Sequence, residues 1–234
     1  MEQNHKRKVS LEEIKAGCIK LNGEDGSETQ VCMMQEELQQ GIDTVQSYKN
    51  SATFYGSARL TEDHPDYKRA QKIAHRLATE LGYAILSGGG PGIMEAANRG
   101  ASEAGGKAVG LTIRLNHEQV TNKYVNDEIP FYFFFTRKVT MSYSTDACLF
   151  FPGGFGTLDE LFEMITLKQT NKIDPVPIIL VGTEFWSKFQ SIIEETLVNK
   201  YQTVSKEELN LYTITDDEDE IIRIIKESKV RKDD

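Results

Sequence analysis

Ala147-Cys148-Leu149-Phe150-Phe151-Pro152-Gly153-Gly154-Phe155-Gly156-Thr157-Leu158-Asp159-Glu160 is the stretch whose reading decides the fold. Five apolar residues run unbroken into a proline–glycine turn. The turn opens onto Leu158, Leu161, Phe162 and Ile165, spaced i, i+3, i+4 and i+7. An apolar run of this length reads as a strand buried on both faces, and the spacing after it reads as a helix over 157–169.

The same unit occurs upstream. Residues 83–86 read as a strand that enters Ser87-Gly88-Gly89-Gly90-Pro91-Gly92 and then a helix over 91–104, with Pro91 favourable in its first turn. Working outward, 52–56, 107–113, 176–181 and 211–214 read as strands. Helices are expected over 66–81, 136–144, 184–198 and 216–229, the last with acids in its first turn and lysines in its last. Phe131-Tyr132-Phe133-Phe134-Phe135 is expected to be a strand or a buried loop. Repeated strand–helix units predict an α/β fold with a mostly parallel sheet covered on both faces. Both glycine loops then fall beyond the carboxyl ends of strands, where such sheets bind ligands.

Residues 1–50 are polar and differ from the rest. They read as a helical or flexible extension, with Ser10-Leu11-Glu12-Glu13 capping a short helix and 31–48 forming another on Leu38, Ile42 and Val45. A break is expected at Gly23-Glu24-Asp25-Gly26-Ser27. Residues 51–234 read as a single nucleotide-binding domain.

Composition narrows the function classes. With 36 acidic against 27 basic residues the formal charge is -9. No basic stripe marks a nucleic-acid binder. Cys18, Cys32 and Cys148 show no C-x-x-C spacing, so neither a disulfide nor a zinc site is expected, and a reducing, cytoplasmic location fits. His5, His64, His75 and His117 are scattered, which argues against a bound metal. The charged start, Met1 to Lys8, is unlike a signal segment, and no apolar run approaches the ~20 residues of a membrane span.

Glycines let a backbone approach phosphate closely, and a following helix offers free N–H groups and the positive end of its dipole. Gly88, Gly89, Gly90 and Gly92 therefore read as one anion loop, and Pro152, Gly153, Gly154 and Gly156 as the second. Neither is a P-loop, because no Gly-Lys-Ser/Thr follows. The first also fails the dinucleotide fingerprint, whose third glycine would stand at Glu95. Glu95 has two readings, a ribose-binding acid or a partner of the helix dipole. Thr157-x-x-Glu160 has two as well: a capping box, or a carboxylate that falls off the apolar face beside the crevice. Between the loops, Arg137-Lys138 has two readings, a phosphate contact or a solvated helix start, the second weakened because positive charge there opposes the dipole. Arg59 and Arg114 are weaker candidates on the same sheet edge, and Cys148 reads as core.

Taken together, Gly88-Gly89-Gly90-Pro91-Gly92-Ile93-Met94, Arg137-Lys138-x-x-Met141 and Pro152-Gly153-Gly154-x-Gly156-Thr157-x-x-Glu160 resemble the LOG ("Lonely guy") family, long labelled "possible lysine decarboxylase". Order and spacing match over roughly residues 51–200. The resemblance implies a Rossmann-like, doubly wound homodimer that cleaves the N-glycosidic bond of a nucleoside 5′-monophosphate, releasing free base and ribose 5-phosphate. It implies Arg137 and Glu160 as catalytic residues. It implies Ser57, Gly88, Gly89, Gly90, Gly92, Met94, Glu95, Lys138, Pro152, Gly153, Gly154, Gly156 and Thr157 as substrate-binding residues, with no cofactor and no metal. Glu95 stands where plant cytokinin-activating members usually have glycine, and the continuation Glu95-Ala96-Ala97-Asn98-Arg99-Gly100-Ala101 resembles a bacterial branch with longer N-terminal extensions.

Glycoside cleavage passes through an oxocarbenium-like state that a carboxylate can stabilise, or that water activated by the carboxylate can trap. Glu160 suits that role, and Arg137 is expected to hold phosphate or ribose and keep Glu160 ionised. The competing expectation is a non-catalytic carrier of a nucleotide or molybdenum cofactor. Lysine decarboxylation is disfavoured, since no lysine with a supporting acid marks a pyridoxal phosphate site.

Overall fold

The computed structural model describes residues 9–22, 26–114, 120–143 and 145–228. Within them the short apolar runs form strands: β1 (Ser51–Tyr55), β2 (Ala84–Ser87), β3 (Ala108–Ile113), β4 (Asp127–Phe131), β5 (Ala147–Phe150), β6 (Ile178–Leu180) and β7 (Thr213–Ile214). They pair as one parallel sheet in the order β4-β3-β2-β1-β5-β6-β7. Alternation along each strand buries both faces. Ala147 and Leu149 join Ala52, Phe54 and Ile85 on one face, while Cys148 and Phe150 join Tyr55, Leu86 and Leu111 on the other.

Helices α3 (Pro65–Leu81), α4 (Ile93–Glu103) and α8 (Glu218–Glu227) cover the first face. α5 (Phe134–Tyr143), α6 (Phe155–Gln169) and α7 (Thr183–Ile192) cover the second. α7 runs on into a wider, π-type turn over Ile193–Lys200. The start of α3 is fixed locally: the His64 side chain accepts from the Asp66 N–H, Pro65 occupies the first turn, and Gly82 ends the helix at φ 68°. α3 and α4 pack closely because Gly100 has no side chain; a Cβ there would lie 2.1 Å from the Gln71 carbonyl oxygen.

The chain walks outward from β1 to β4, returns through α5 to place β5 beside β1, and walks outward again to β7. The strand order thus reverses between β1 and β5. That is the switch point of a doubly wound α/β sheet, where the loops beyond the strands part into a crevice.

The N-terminal segment holds α1 (Leu11–Asn22) and α2 (Ser27–Gln46). The expected capping box forms: the Glu13 N–H donates to Ser10 Oγ at 3.2 Å, and the Ser10 N–H donates to Glu13 Oε2 at 2.9 Å. Contrary to expectation, Cys18 and Cys32 form a disulfide. The hairpin sets α1 against α2 and brings these cysteines together, a proximity that linear spacing does not reveal. α2 begins four residues earlier than the expected residue 31, and its buried stripe is Thr29, Met33, Glu37, Gly41 and Val45 rather than Leu38 and Ile42.

Two further expectations are corrected. The aromatic run is not one element: only Phe131 is both in a strand and buried. Phe131 ends β4, and Phe134 and Phe135 begin α5 with half their surface exposed. Pro91 lies outside α4, whose N-cap is Gly92 with φ 71° and ψ -131°, so the glycine rather than the proline sets the helix start. Met1 to Lys8, Gly23, Glu24 and Asp25 of the expected break, His117, Ser144 and Lys229 lie outside the described residues. Among the described residues no helix is long and apolar enough to cross a membrane.

Candidate active site

Three loops meet beyond the carboxyl ends of β2, β1 and β5, and the middle one ties the outer two together. After β1, the Ser57 N–H donates to the Pro152 carbonyl at 3.0 Å, and the Ser57 carbonyl accepts from the Ile93 N–H at 3.0 Å. Gly92 is required at that junction, because a Cβ there would lie 2.3 Å from the Ser57 oxygen. Ser57 therefore braces both glycine loops through its backbone, while its hydroxyl accepts from the Arg59 N–H. A hollow of about 470 Å³ lies at the opposite edge of the sheet, among Asn50, Gly82, Gly106 and Lys107. No residue of the candidate site lines it.

The first loop is held from behind by polar side chains that sequence reading missed. Asn122 Nδ2 donates to the carbonyls of Gly89 and Gly90 and to Asn98 Oδ1, each at 3.0 Å. Ser87 Oγ donates to Asn98 Oδ1 at 2.7 Å and accepts from the Gly89 N–H at 3.0 Å. The Gly89 amide is thereby engaged inside the protein and not offered to an anion. Asn98 left a readable signal, a polar residue among Ile93, Ala96, Ala97 and Ala101 on a buried helix stripe. Such a residue needs partners. Asn122 sits in a loop whose sequence carries none.

Arg137 comes from the first turn of α5, is 9% exposed, and donates from Nε to the Leu111 carbonyl of β3 at 2.6 Å. Its guanidinium lies over Gly88, where a Cβ would meet Nη2 at 2.2 Å and Met94 Sδ at 2.7 Å. Gly88, Met94 and Arg137 are thus one contact, drawn from two separate sequence motifs.

In the second loop Gly154 caps α6 with no side-chain hydrogen bond, so the expected capping box is absent. α6 starts at Phe155, and Thr157 is buried in its first turn, with its Oγ1 where a Cβ on Gly153 would fall. Gly154 and Gly156 are exposed at the helix N-terminus. Glu160 follows, partly buried, beside Leu161 and one turn from the buried Thr157 and Met164. Phe162, assigned to the apolar face, is 44% exposed.

Burial pushes the Glu160 carboxyl up to about 7, against the pull of Arg137 and Lys138. Arg137 therefore favours the ionised form without securing it, as burial outweighs the pair. Burial also lowers the Arg137 pKa, with Glu160 acting against that shift. Tyr55, stacked on Phe150 with centroids 4.5 Å apart, adds a buried hydroxyl whose ionisation burial and the nearby Glu160 suppress.

The remaining candidates separate. Lys138 Nζ is bound to Asp159 at 2.7 Å and Glu163 at 3.2 Å, so these acids rather than an open crevice account for its position. Glu95 accepts from the Tyr67 hydroxyl at 3.0 Å. Arg114 is paired with Glu12 of α1, away from the glycine loops, and Arg59 is exposed. Cys148 is buried in β5 with its thiol raised to about 12, as befits a core residue.

Comparison with known proteins agrees with this architecture. A cytokinin riboside 5′-monophosphate phosphoribohydrolase of Arabidopsis thaliana is 31% identical over 124 residues, 52% of this chain and 54% of that protein. The Oryza sativa enzyme of the same name is 28% identical over 150 residues, 63% of this chain and 61% of that one. The chain thus spans between half and two thirds of these plant relatives. An uncharacterised protein of Archaeoglobus fulgidus is 29% identical over 122 residues, 51% of this chain and 78% of its own length. Among solved structures, the molybdenum cofactor carrier protein of Chlamydomonas reinhardtii superposes with a TM-score of 0.54 at 19% identity, covering 78% of this chain and all of that one. The molybdenum cofactor binding protein of Rippkaea orientalis gives 0.54 at 21%, covering 75% and 93%. At these identities the structures support the Rossmann-like fold alone. A family model described as possible lysine decarboxylase matches residues 94–225, more than half of the chain, and the protein belongs to that family, the LOG family.

Proposed function

We propose that the protein is a nucleoside 5′-monophosphate N-glycosidase, hydrolysing AMP or a related purine or N6-modified monophosphate to free base and ribose 5-phosphate. One observation carries this reading: a carboxyl raised to about 7, Glu160, follows the second glycine loop in α6 and stands in the field of the buried Arg137 that lies over Gly88 of the first. A carrier needs cations and amides for its anion but has no use for an acid poised to titrate near neutrality. A glycosidase does.

In the proposed reaction the 5′-phosphate lies against the α6 N-terminus at Gly154 to Thr157 and against Arg137, over the floor that Gly88 leaves free. Lys138 is already engaged by two acids and contributes to the field. Ionised Glu160 faces the anomeric carbon and stabilises the oxocarbenium-like state as the N-glycosidic bond breaks, or takes a proton from the attacking water; water oxygen bonds to the anomeric carbon and that proton ends on the departing base, giving free base and ribose 5-phosphate. Phosphate binding away from the bond being broken orients the ribose. Exposed Phe134 and Phe135 of α5 and Phe155 and Phe162 of α6 support a homodimer, since the Lys138 ion pairs join these two helices and a second copy would cover the rings.

The test is incubation of the purified chain with a panel of 5′-monophosphates, with free base and ribose 5-phosphate separated by chromatography. At least one is expected to be cleaved, with Glu160→Gln slower by about 10²–10⁴-fold. The hydrolase reading falls if none is cleaved or if Glu160→Gln matches the wild type. A nucleotide or pterin phosphate bound tightly and left intact would instead establish the carrier.

A further inference from the structure

Among the described residues Glu37 is an acid of the N-terminal hairpin that is 2% exposed, and its partners lie on another element. Its Oε2 accepts from the Tyr132 N–H at 3.0 Å. Its Oε1 accepts from the Phe133 N–H at 3.1 Å and from the Thr136 hydroxyl at 2.5 Å. These groups form the N-terminal entrance of α5, whose orphan amides and dipole favour a carboxylate. α5 has no acid of its own in its first turn. The cap is supplied across space, by α2.

The contact leads straight to Arg137. Glu37 fixes the Phe133 N–H, the Phe133 carbonyl accepts from the Arg137 N–H at 3.3 Å, and the Arg137 side chain is fixed in turn by Leu111. The two helices are close enough for this because Gly41 lacks a side chain; a Cβ there would lie 2.7 Å from Thr140 Oγ1 and 2.9 Å from Phe131 Cζ. Phe133 packs against Leu11, Ile14, Cys18 and Met33, so the hairpin grips the same turn on its apolar side.

We propose that Glu37 is a positioning residue for Arg137: the N-terminal hairpin sets the guanidinium over Gly88 by capping α5 from outside. This rests on the reading of Arg137 and Glu160 as the working pair. Removing the cap relaxes the first turn of α5 and moves the guanidinium, without touching Glu160 or the glycine loops.

Two readouts test it on the full-length protein. The first is hydrogen exchange of the Arg137 Nε–H by NMR without substrate, its signal identified by loss in Arg137→Lys. The second is kcat and KM for whichever monophosphate is cleaved. Glu37→Gln keeps the shape but loses the charge and one acceptor oxygen. It is expected to speed Nε–H exchange roughly tenfold or more and to lower kcat by about ten- to a hundredfold, with KM changed far less. If Glu37→Gln does not fold, Gly41→Ala, which leaves the carboxylate in place but forces α2 away from α5, is expected to have the same two effects. A lower melting temperature with exchange and kcat unchanged would assign Glu37 to stability alone and overturn the inference. If the wild type cleaves no monophosphate, the hydrolase reading falls by itself, and Nε–H exchange still decides this one.

Discussion

Glu160→Gln should make the protein more stable while removing its proposed activity. The size of the effect follows from the carboxyl. Its ordinary pKa is 4.5, and in the fold burial holds it near 7. The folded state therefore keeps a proton that the unfolded chain has already released. For a carboxyl raised in this way, the contribution to stability is fully present below the unfolded value and is lost as pH climbs through the folded one. At about 1.4 kcal/mol per pKa unit, ionised Glu160 opposes folding by about 3 kcal/mol once the pH is well above 7. Glutamine has nearly the same shape and carries no charge, so it escapes that opposition. Urea unfolding of wild type and Glu160→Gln should differ little near about pH 4. The variant should gain progressively up to about 3 kcal/mol near about pH 8, with most of the rise between the two pKa values. For a chain of this size the gain corresponds to roughly 6–12 °C in melting temperature. Other titrating groups are common to both proteins and largely cancel in the difference. Wild-type cleavage should show the complementary limb, falling as pH drops through about 7. A stability difference that stays flat with pH, or that favours the wild type at alkaline pH, would refute the account of a buried, raised carboxyl.

Two further outcomes test neighbouring parts. Gly88→Ala places a methyl 2.2 Å from Arg137 Nη2, whose own Nε is held by Leu111 and cannot swing freely. It should lower kcat by about 10²-fold for roughly 1–3 kcal/mol of stability, and unchanged turnover would show that the guanidinium does not work from there. Replacing Cys18 and Cys32 by serine opens a cross-link between residues 14 apart. For a loop of this length, denaturant unfolding should register a loss of about 3 kcal/mol, and equal midpoints with and without the bond would rule out that contribution.

The centre of the sheet was legible because β1, β2, β5 and β6 lie in largely apolar runs and each glycine loop sits between a strand and a helical period. Residues 127–130 carry no strand reading, because Asp127, Glu128 and Pro130 break any apolar run, yet Asp127–Phe131 pairs in parallel with β3 along one edge of the sheet. A polar edge strand has no hydrophobic signature, only a partner. The aromatic run beside it was misread for the converse reason. Apolar character predicts burial within one chain, whereas Phe134 and Phe135 face outward from α5. In the site, Arg137 and Glu160 could be singled out by motif, but what holds them is non-local. Glu37 lies 99 residues from Thr136 in sequence, and Asn122 lies 33 from Gly89. No local pattern relates such pairs.

The same distinction bears on the proposed phosphate site of a chain that is acidic overall. The overall charge of -9 opposes a phosphate, and Lys138, which looked like the compensating cation, is already matched by Asp159 and Glu163. Besides the α6 N-terminus, what remains is Arg137, withdrawn from water so that its field is weakly screened, near a carboxyl that burial keeps largely protonated below pH 7. With Glu160 neutral the pair is net positive and favours an approaching phosphate. With Glu160 ionised it is net neutral and supplies the negative charge that an oxocarbenium requires. In the proposed reaction, binding and catalysis would then call for opposite protonation states of a single residue, and a carboxyl poised near 7 populates both at neutral pH. A carboxylate at its ordinary 4.5 would serve the proposed chemistry and weaken the proposed binding, so on this reading the burial that destabilises the fold is what would suit one site to both.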